Sequence, residues 1–158
     1  MQYLIGNGID IHQLEEGRPL VIGGVPIPYS KGSKGHSDGD VLFHAIVDAI
    51  LGSLALGDIG KHFPSDSPSW KDVESRIFLE HSYKLMDEKG YSVENIDATI
   101  ILEEPVLSPH ILQMRENIST ILSTDLNQIS VKATTTDKLG FIGKGEGISA
   151  TVSTLIKK

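Results

Sequence analysis

The sequence predicts an α+β protein: a mixed, largely antiparallel four-stranded sheet plus a hairpin, with helices gathered on one face as an α/β sandwich. Segments with strand and helix periodicity follow one another as ββ, α, α, β, α, β, β, an order without the strict alternation of a doubly wound parallel fold. The 158 residues are 39% apolar, which suits a single domain with its own core. No internal repeat, low-complexity tract or linker divides residues 1–158, so one domain is expected.

Residues 2–12 alternate like a strand. Asp10 and His12, at i and i+2, leave one face, while Ile9 and Ile11 pack the other way. Leu20-Val21-Ile22, turned by Gly23-Gly24 into Val25-Pro26-Ile27, reads as a hairpin. After the glycine-rich stretch 31–39, Asp40 opens a helix in which Leu42, Ala45, Ile46, Ala49, Ile50 and Leu54 recur at helical spacing, with Gly57 marking its end. Asp40, His44 and Asp48 form a polar stripe on that otherwise apolar element. Residues 57–70, with Pro64 and Pro68, lack periodicity and make a loop long enough to serve as a lid. A second helix spans 72–89, closed by Gly90, and residues 95–103 give a strand with Ile96, Ala98, Ile100 and Leu102 on one side. Ser108-Pro109 starts a third helix, serine as cap and proline at the first helical position, continued by Ile111, Met114, Ile118, Ile121 and Leu122. Strands at 129–135 and 148–156, separated by the glycine-rich 139–147, complete the set.

Composition narrows the function. A formal net charge of −7 without a long Lys/Arg run disfavours nucleic acid and anionic membranes as partners. The longest apolar stretch, 41–56, is interrupted by His44 and Asp48 and is too short to cross a bilayer. The N-terminus lacks the basic-then-apolar order of a secretory signal, so a cytoplasmic protein is expected. With no cysteine, any metal falls to histidines and carboxylates.

Asp10, His12 and His44 supply one carboxylate and two imidazoles, a three-ligand set with an open position, as catalytic zinc is held. The turn Gly35-His36-Ser37-Asp38-Gly39-Asp40 presents backbone N–H groups and a histidine at a helix N-terminus, where an anion such as phosphate is favoured; it reads equally well as a capping turn. Asp48 is either an acceptor that orients His44 or a plain surface carboxylate. In Lys132-Ala133-Thr134-Thr135-Thr136-Asp137-Lys138 the hydroxyls suit phosphate oxygens and Asp137 suits Mg²⁺, although three threonines are also ordinary strand residues. His62, His81 and His110 have no paired acid at a useful spacing and receive no chemical role. The triad alone also fits a non-haem iron oxygenase, and the diphosphate-binding features alone fit a sensor without turnover.

Five ordered motifs carry a resemblance: Gly-Ile-Asp-Ile-His (8–12), Ile-Gly-Gly-Val-Pro-Ile-Pro-Tyr (22–29), Gly-His-Ser-Asp-Gly-Asp-Val (35–41), Leu-Gly-Asp-Ile-Gly-Lys-His-Phe-Pro (56–64) and the long run 131–147. Together they resemble the 2-C-methyl-D-erythritol 2,4-cyclodiphosphate synthase family of the non-mevalonate isoprenoid pathway, over essentially the whole chain. The resemblance implies a homotrimer with active sites between neighbouring subunits and zinc on Asp10, His12 and His44. It implies a cytidine diphosphate substrate whose second phosphate attacks the β-phosphorus, releasing CMP, with Mg²⁺ or Mn²⁺ bridging the diphosphate at Asp137. By the same matching, His36 and Thr135 stabilise the transition state, and His36 and Ser37 bind the methylerythritol phosphate part. Asp58 and Gly60 contact ribose, and Phe63, Pro64, Ser65, Asp66 and Ser67 form the loop over the substrate. The backbone of Leu102, Glu103, Glu104, Pro105, Val106, Leu107 and Ser108 reads cytosine, and Ala133, Thr134, Thr135, Thr136 and Asp137 contact the diphosphate. Phe141, Lys144 and Glu146 line a central channel that in some members takes an isoprenoid diphosphate. Three positions differ from other members: Val106 where some have lysine, Asp137 where others have glutamate, and Lys144 where some have an arginine able to grip phosphate bidentately.

Overall fold

The computed structural model describes all 158 residues. In chain order the strands are β1 (Tyr3–Glu16), the hairpin β2 (Leu20–Ile22) and β3 (Val25–Ile27), β4 (Lys31–Ser33), β5 (Ser92–Ile101), β6 (Ile129–Thr134) and β7 (Gly147–Lys157). The helices are α1 (Val41–Ser53), α2 (Ile59–His62), α3 (Arg76–Glu88), α4 (Ile111–Ile121) and α5 (Gly140–Gly143). The main sheet has five strands in the order β4-β1-β7-β5-β6, and β2-β3 stands apart as a two-stranded ribbon. All pairings are antiparallel except β5 with β6, whose parallel register needs a crossover, and α4 lies on it.

The sheet is therefore five-stranded, not four-stranded as the sequence suggests. The extra strand is β4, whose three residues pair from Leu14–Ser33 to Glu16–Lys31. So short a strand, with a central Gly32, carries no periodicity to read. Other boundaries move too. β1 continues to Glu16, α1 ends at Ser53 well before Gly57, and α3 begins only at Arg76 because Asp72 turns the chain with φ +58°. The segment 57–70 is partly ordered by α2, capped by Asp58, and by a 3₁₀ turn at Pro68–Trp70. Ser108 makes no capping bond; a 3₁₀ turn over Ser108–His110 leads into α4 instead.

Two glycines decide how the layers meet. On the inner face of β1 a Cβ at Gly6 would lie 1.9 Å from the Ala49 carbonyl oxygen, and one at Gly8 would lie 1.9 Å from that of Ala45. Only glycine lets the backbone of α1 rest directly on the strand, and that approach leaves α1 almost wholly buried. Asp40 fixes the start of the helix. Its fully buried carboxylate accepts from Phe43 N–H (3.0 Å), Gly23 N–H (2.9 Å) and Gly24 N–H (2.7 Å), tying the hairpin turn to the helix N-terminus.

The core lies between the inner face of the sheet and α1, α3 and α4, so the helices do gather on one side. The opposite face of β1 is bare. Ile5, Ile9 and Ile11 are 70%, 64% and 56% exposed: the isoleucines flanking Asp10 do leave the face opposite to it, as the alternation predicts, but lie outside the core, with Ile11 beside a cavity that Phe141 also lines. No helix is long and apolar enough to cross a membrane.

Candidate functional site

Gly8, Asp10 and His12 point the same way from β1, and α1 meets that face at Gly8, so His44 arrives beside both polar residues. Asp10 Oδ2 lies 2.7 Å from His12 Nε2 and 3.2 Å from His44 Nδ1, and the two nitrogens are 3.3 Å apart. A tetrahedral zinc with bonds of about 2.0–2.1 Å sets its donors roughly 3.3 Å apart, so the three atoms need only a small expansion to take an ion. The donor set is the hard-to-borderline nitrogen and oxygen mix that zinc accepts, and its fourth side faces a cleft. Ring orientation is fixed from behind. The far nitrogen of His12, Nδ1, is 2.8 Å from the Lys34 carbonyl, to which it donates.

Charge within the triad is mutually reinforcing. Burial opposes ionisation of Asp10, but hydrogen bonds and positive charge from His12 and His44 outweigh it and hold the carboxyl well below the usual range. Burial likewise opposes a charge on His12, and Asp10 again prevails, raising the imidazole above its ordinary value. Asp40 is the reverse case. Burial and the neighbouring Asp38 push its carboxyl up to about 6, despite three backbone donors. Asp48 is raised by burial and accepts from Ile59 N–H (2.7 Å), so it holds the entry to α2 and does not orient His44.

A cleft of about 190 Å³ opens at the triad, lined by His36, Ser37, Gly60, Phe63 and Ser65 as well as His12 and His44. His36 Nε2 is 3.0 Å from the Ser67 carbonyl, which ties the 35–40 turn to the loop over the cleft. Phe63 anchors that loop, buried against Phe78 (centroids 4.4 Å apart) and edge-on to Trp70 (5.1 Å). Asp58 is committed to capping Lys61 N–H, and Pro64, Ser65 and Asp66 are exposed on the rim. The Ser37 hydroxyl is buried, 3.2 Å from His44 Nε2, so it meets the His44 ring at the nitrogen turned away from Asp10 and His12.

The second group of expected residues is assembled elsewhere. Leu102, Glu103, Pro105, Val106, Leu107 and Ser108 share another cavity of about 190 Å³ with Ala133, Thr134 and Thr135 at the ends of β5 and β6. The carboxylate of Glu103 accepts from Thr136 N–H (3.2 Å) and Lys138 N–H (3.0 Å), fixing the turn that carries exposed Asp137, while Glu104 is exposed beside it. Register gives the separation. Asp10 pairs with Ala150, Ala150 with Ile100 and Ile100 with Ala133. Three strand spacings put the two groups roughly 14 Å apart. Within one chain, then, His36 and Thr135 are not brought together. Phe141 and Glu146 line a further cavity with Ile11, His12, Gln13 and Lys31, so it borders the triad strand, and Lys144 is exposed nearby in sequence.

Sequence reasoning missed Ser75, whose hydroxyl is 2.7 Å from His44 Nε2, and Phe78, whose ring is 5.9 Å from that of His44. Both come from α3 or its threshold, and no local spacing ties them to α1. The glycines of β1 were the available signal: small residues alternating with Asp10 and His12 on one face announce a close-packed helix.

Residues 3–157 match the family model described as the YgbB family. The protein named 2-C-methyl-D-erythritol 2,4-cyclodiphosphate synthase from Chlorobium phaeobacteroides (strain BS1) is 56% identical over 154 residues, 98% of this chain and 97% of its own length. The protein of the same name from Geobacillus sp. (strain WCH70) is 53% identical over 156 residues, 99% of each. Among solved structures, the bifunctional IspDF of Campylobacter jejuni superposes with a TM-score of 0.95 at 42% identity, covering 99% of this chain and 42% of that longer one. The CDP complex of Plasmodium falciparum IspF gives a TM-score of 0.86 at 39% identity, covering 98% and 95%.

Proposed function

The chain belongs to the YgbB family, and from this we infer that it carries out the reaction of the 2-C-methyl-D-erythritol 2,4-cyclodiphosphate synthases it resembles. It is a metal-dependent lyase of the non-mevalonate isoprenoid pathway. The 2-phosphate of 4-diphosphocytidyl-2-C-methyl-D-erythritol 2-phosphate attacks the β-phosphorus; the bond from that phosphorus to the bridging oxygen breaks, and CMP leaves with the oxygen. The ring so formed is the 2,4-cyclodiphosphate. The observation that carries the reading is the convergence of Asp10, His12 and His44, with both histidines lining a cleft walled by His36 and residues of the 59–65 loop.

We propose zinc for the triad, and Mg²⁺ or Mn²⁺ at Asp137. When bound, the two ions supply positive charge that polarises the β-phosphate and neutralises the departing CMP. The remaining work is positional. A phosphate nucleophile is already anionic, so the protein needs no strong general base, and alignment and charge neutralisation dominate. His36, held by the Ser67 carbonyl, presents its ring to the reacting phosphates, and Thr135 serves them from the other side. Ribose would meet Asp58 and Gly60, cytosine the backbone of 102–108, and the diphosphate Thr134, Thr135 and Thr136. The CDP complex of the Plasmodium relative supports a cytidine nucleotide as ligand.

The separation of the two residue groups supports a homotrimer in which the β5–β6 end of one chain completes the cleft of its neighbour. The bare isoleucines of β1 support the same assembly, with Phe141, Lys144 and Glu146 lining a channel open to an isoprenoid diphosphate. A cytoplasmic site of action fits a chain whose helices are all too short to span a bilayer. Incubation with the cytidine diphosphate substrate should release CMP and give cyclic diphosphate by phosphorus NMR, both abolished by a chelator. Linear phosphate in stoichiometric yield would overturn the assignment.

A further inference from the structure

His44 offers Nδ1 to the triad, whereas His12 offers Nε2, and the two rings are held by different devices. For His12 the device is the Lys34 carbonyl. For His44 it is a chain of side chains. His44 Nε2 is 2.7 Å from Ser75 Oγ, and the Ser75 hydroxyl in turn donates to Asp38 Oδ1 in a short hydrogen bond. Ser75 N–H donates to the other carboxylate oxygen of Asp38 at 3.0 Å, and Asp38 is itself steadied by Asp40 N–H at 3.0 Å. Ser75 is fully buried.

Donor and acceptor arithmetic then bears on the tautomer of His44. A serine hydroxyl has one proton, and here it is committed to the carboxylate of Asp38. Ser75 Oγ, the atom nearest Nε2, therefore has only lone pairs to offer His44, and this contact calls for the ring proton on Nε2; Ser37 Oγ, 3.2 Å from the same nitrogen and 3.4 Å from Ser75 Oγ, can accept there as well. In the neutral ring, the form that a metal takes, Nδ1 then keeps its lone pair on the side of Asp10 and His12; only the charged ring donates to Asp10 from Nδ1. The placement of Ser75 argues against a merely local duty. It stands at the N-cap of α3, where a serine ordinarily caps its own helix, yet it makes no side-chain capping bond.

We propose that Ser75, backed by Asp38, is a positioning residue that sets the tautomer of His44 and aims Nδ1 at the metal. The inference rests on the metal reading of the triad, and it gives the 35–40 turn a structural share in metal binding beyond contact with substrate. It also extends the support of the metal from β1 and α1 to the threshold of α3.

The test uses the full-length protein, ¹⁵N-labelled at histidine. In the metal-free wild type, at a pH where the ring is neutral, His44 should be the Nε2–H tautomer by ¹⁵N NMR; a neutral Nδ1–H tautomer overturns the proposal without any variant. Ser75→Ala should shift His44 towards Nδ1–H and weaken zinc, measured by competition with a chromophoric chelator, about 10- to 100-fold. Ser75→Thr, which keeps the hydroxyl, should restore both. Asp38→Asn, which frees the serine proton to face His44, should also change the tautomer. A Ser75→Ala protein with lowered thermal stability but unchanged zinc affinity and tautomer would show a structural role only and sink the inference. Failure of the wild type to take up zinc would instead refute the metal reading, leaving the tautomer measurement to decide the relay.

Discussion

Asp10, His12 and His44 sit at most partly exposed between a strand and a helix, each ring or carboxylate held by a named partner. Thr134, Thr135 and Asp137 are exposed at a strand end, and Thr135 and Asp137 mainly hydrogen-bond to each other. The contrast fits what each would bind in the proposed function. A metal needs three donors placed within tenths of an ångström, so its ligands ride on elements locked by Gly6 and Gly8. In the proposed reading a diphosphate would bring its own charge and be gripped by these exposed hydroxyls once substrate and a neighbouring subunit covered them. The first half is finished by folding within one chain; the proposed trimer would finish the second.

The sharpest break in that comparison is His12→Ala. Loss of a metal worth several kcal/mol should cut CMP release about 1,000-fold or more. The far-UV circular dichroism should barely change, because the side chain lies at a strand position outside the apolar core. Substantial turnover by the zinc-free variant would show that the triad is not the catalytic centre.

Next in size is Gly8→Ala, which tests whether the finished half depends on contact between α1 and the strand. A methyl group 1.9 Å from the Ala45 oxygen forces the layers apart, at a cost of about 3 kcal/mol or more. Urea denaturation should show that loss, with zinc affinity falling in parallel because His44 moves with the helix. In the open half, Asp137→Ala should cost roughly 10- to 100-fold in turnover at low Mg²⁺, partly recovered at high Mg²⁺, with zinc content unchanged. Loss of zinc in that variant would mean the halves are not independent.

How far the sequence foretells each half follows the same division. Asp10 and His12 are legible because strand alternation fixes which face they share, and His44 because helical spacing marks its element. The hairpin is legible from Gly23-Gly24. Ser75 and Phe78 are not, since their meeting with His44 depends on how α3 is laid across α1, which no local pattern encodes. β4 is illegible for want of length, and the parallel pairing of β6 because register between distant strands is set by packing. The open half became interpretable through the resemblance of its motifs; threonines at a strand end carry little signal alone.

Asp40 supplies a smaller and pH-dependent test. Asp40→Asn keeps one acceptor oxygen but turns an amide N–H₂ towards a backbone donor, destabilising the fold by about 1–3 kcal/mol. The folded carboxyl is raised from 3.8 to about 6, so the folded state binds the proton more tightly than the unfolded chain. Its contribution is therefore fully present below about pH 4 and lost as pH rises through about 6. Denaturant titrations should show the gap between wild type and variant narrowing over that window. A gap that widens with pH would reverse the assignment.

Val106→Lys is the mildest test and probes the open half from the side of gain. Val106 is 75% exposed on the rim of the cavity formed by 102–108 and 133–135. An ammonium there meets phosphate in water, and such exposed pairs contribute at most about 1 kcal/mol. KM for the cytidine diphosphate substrate should fall by about threefold with kcat unchanged, and the gain should vanish as ionic strength rises past the point where the Debye length shrinks to a few ångströms. The same substitution should leave zinc affinity and unfolding midpoint untouched. An effect on kcat instead would place Val106 at the reacting phosphates and draw the open half closer to the metal than the sheet register allows for one chain.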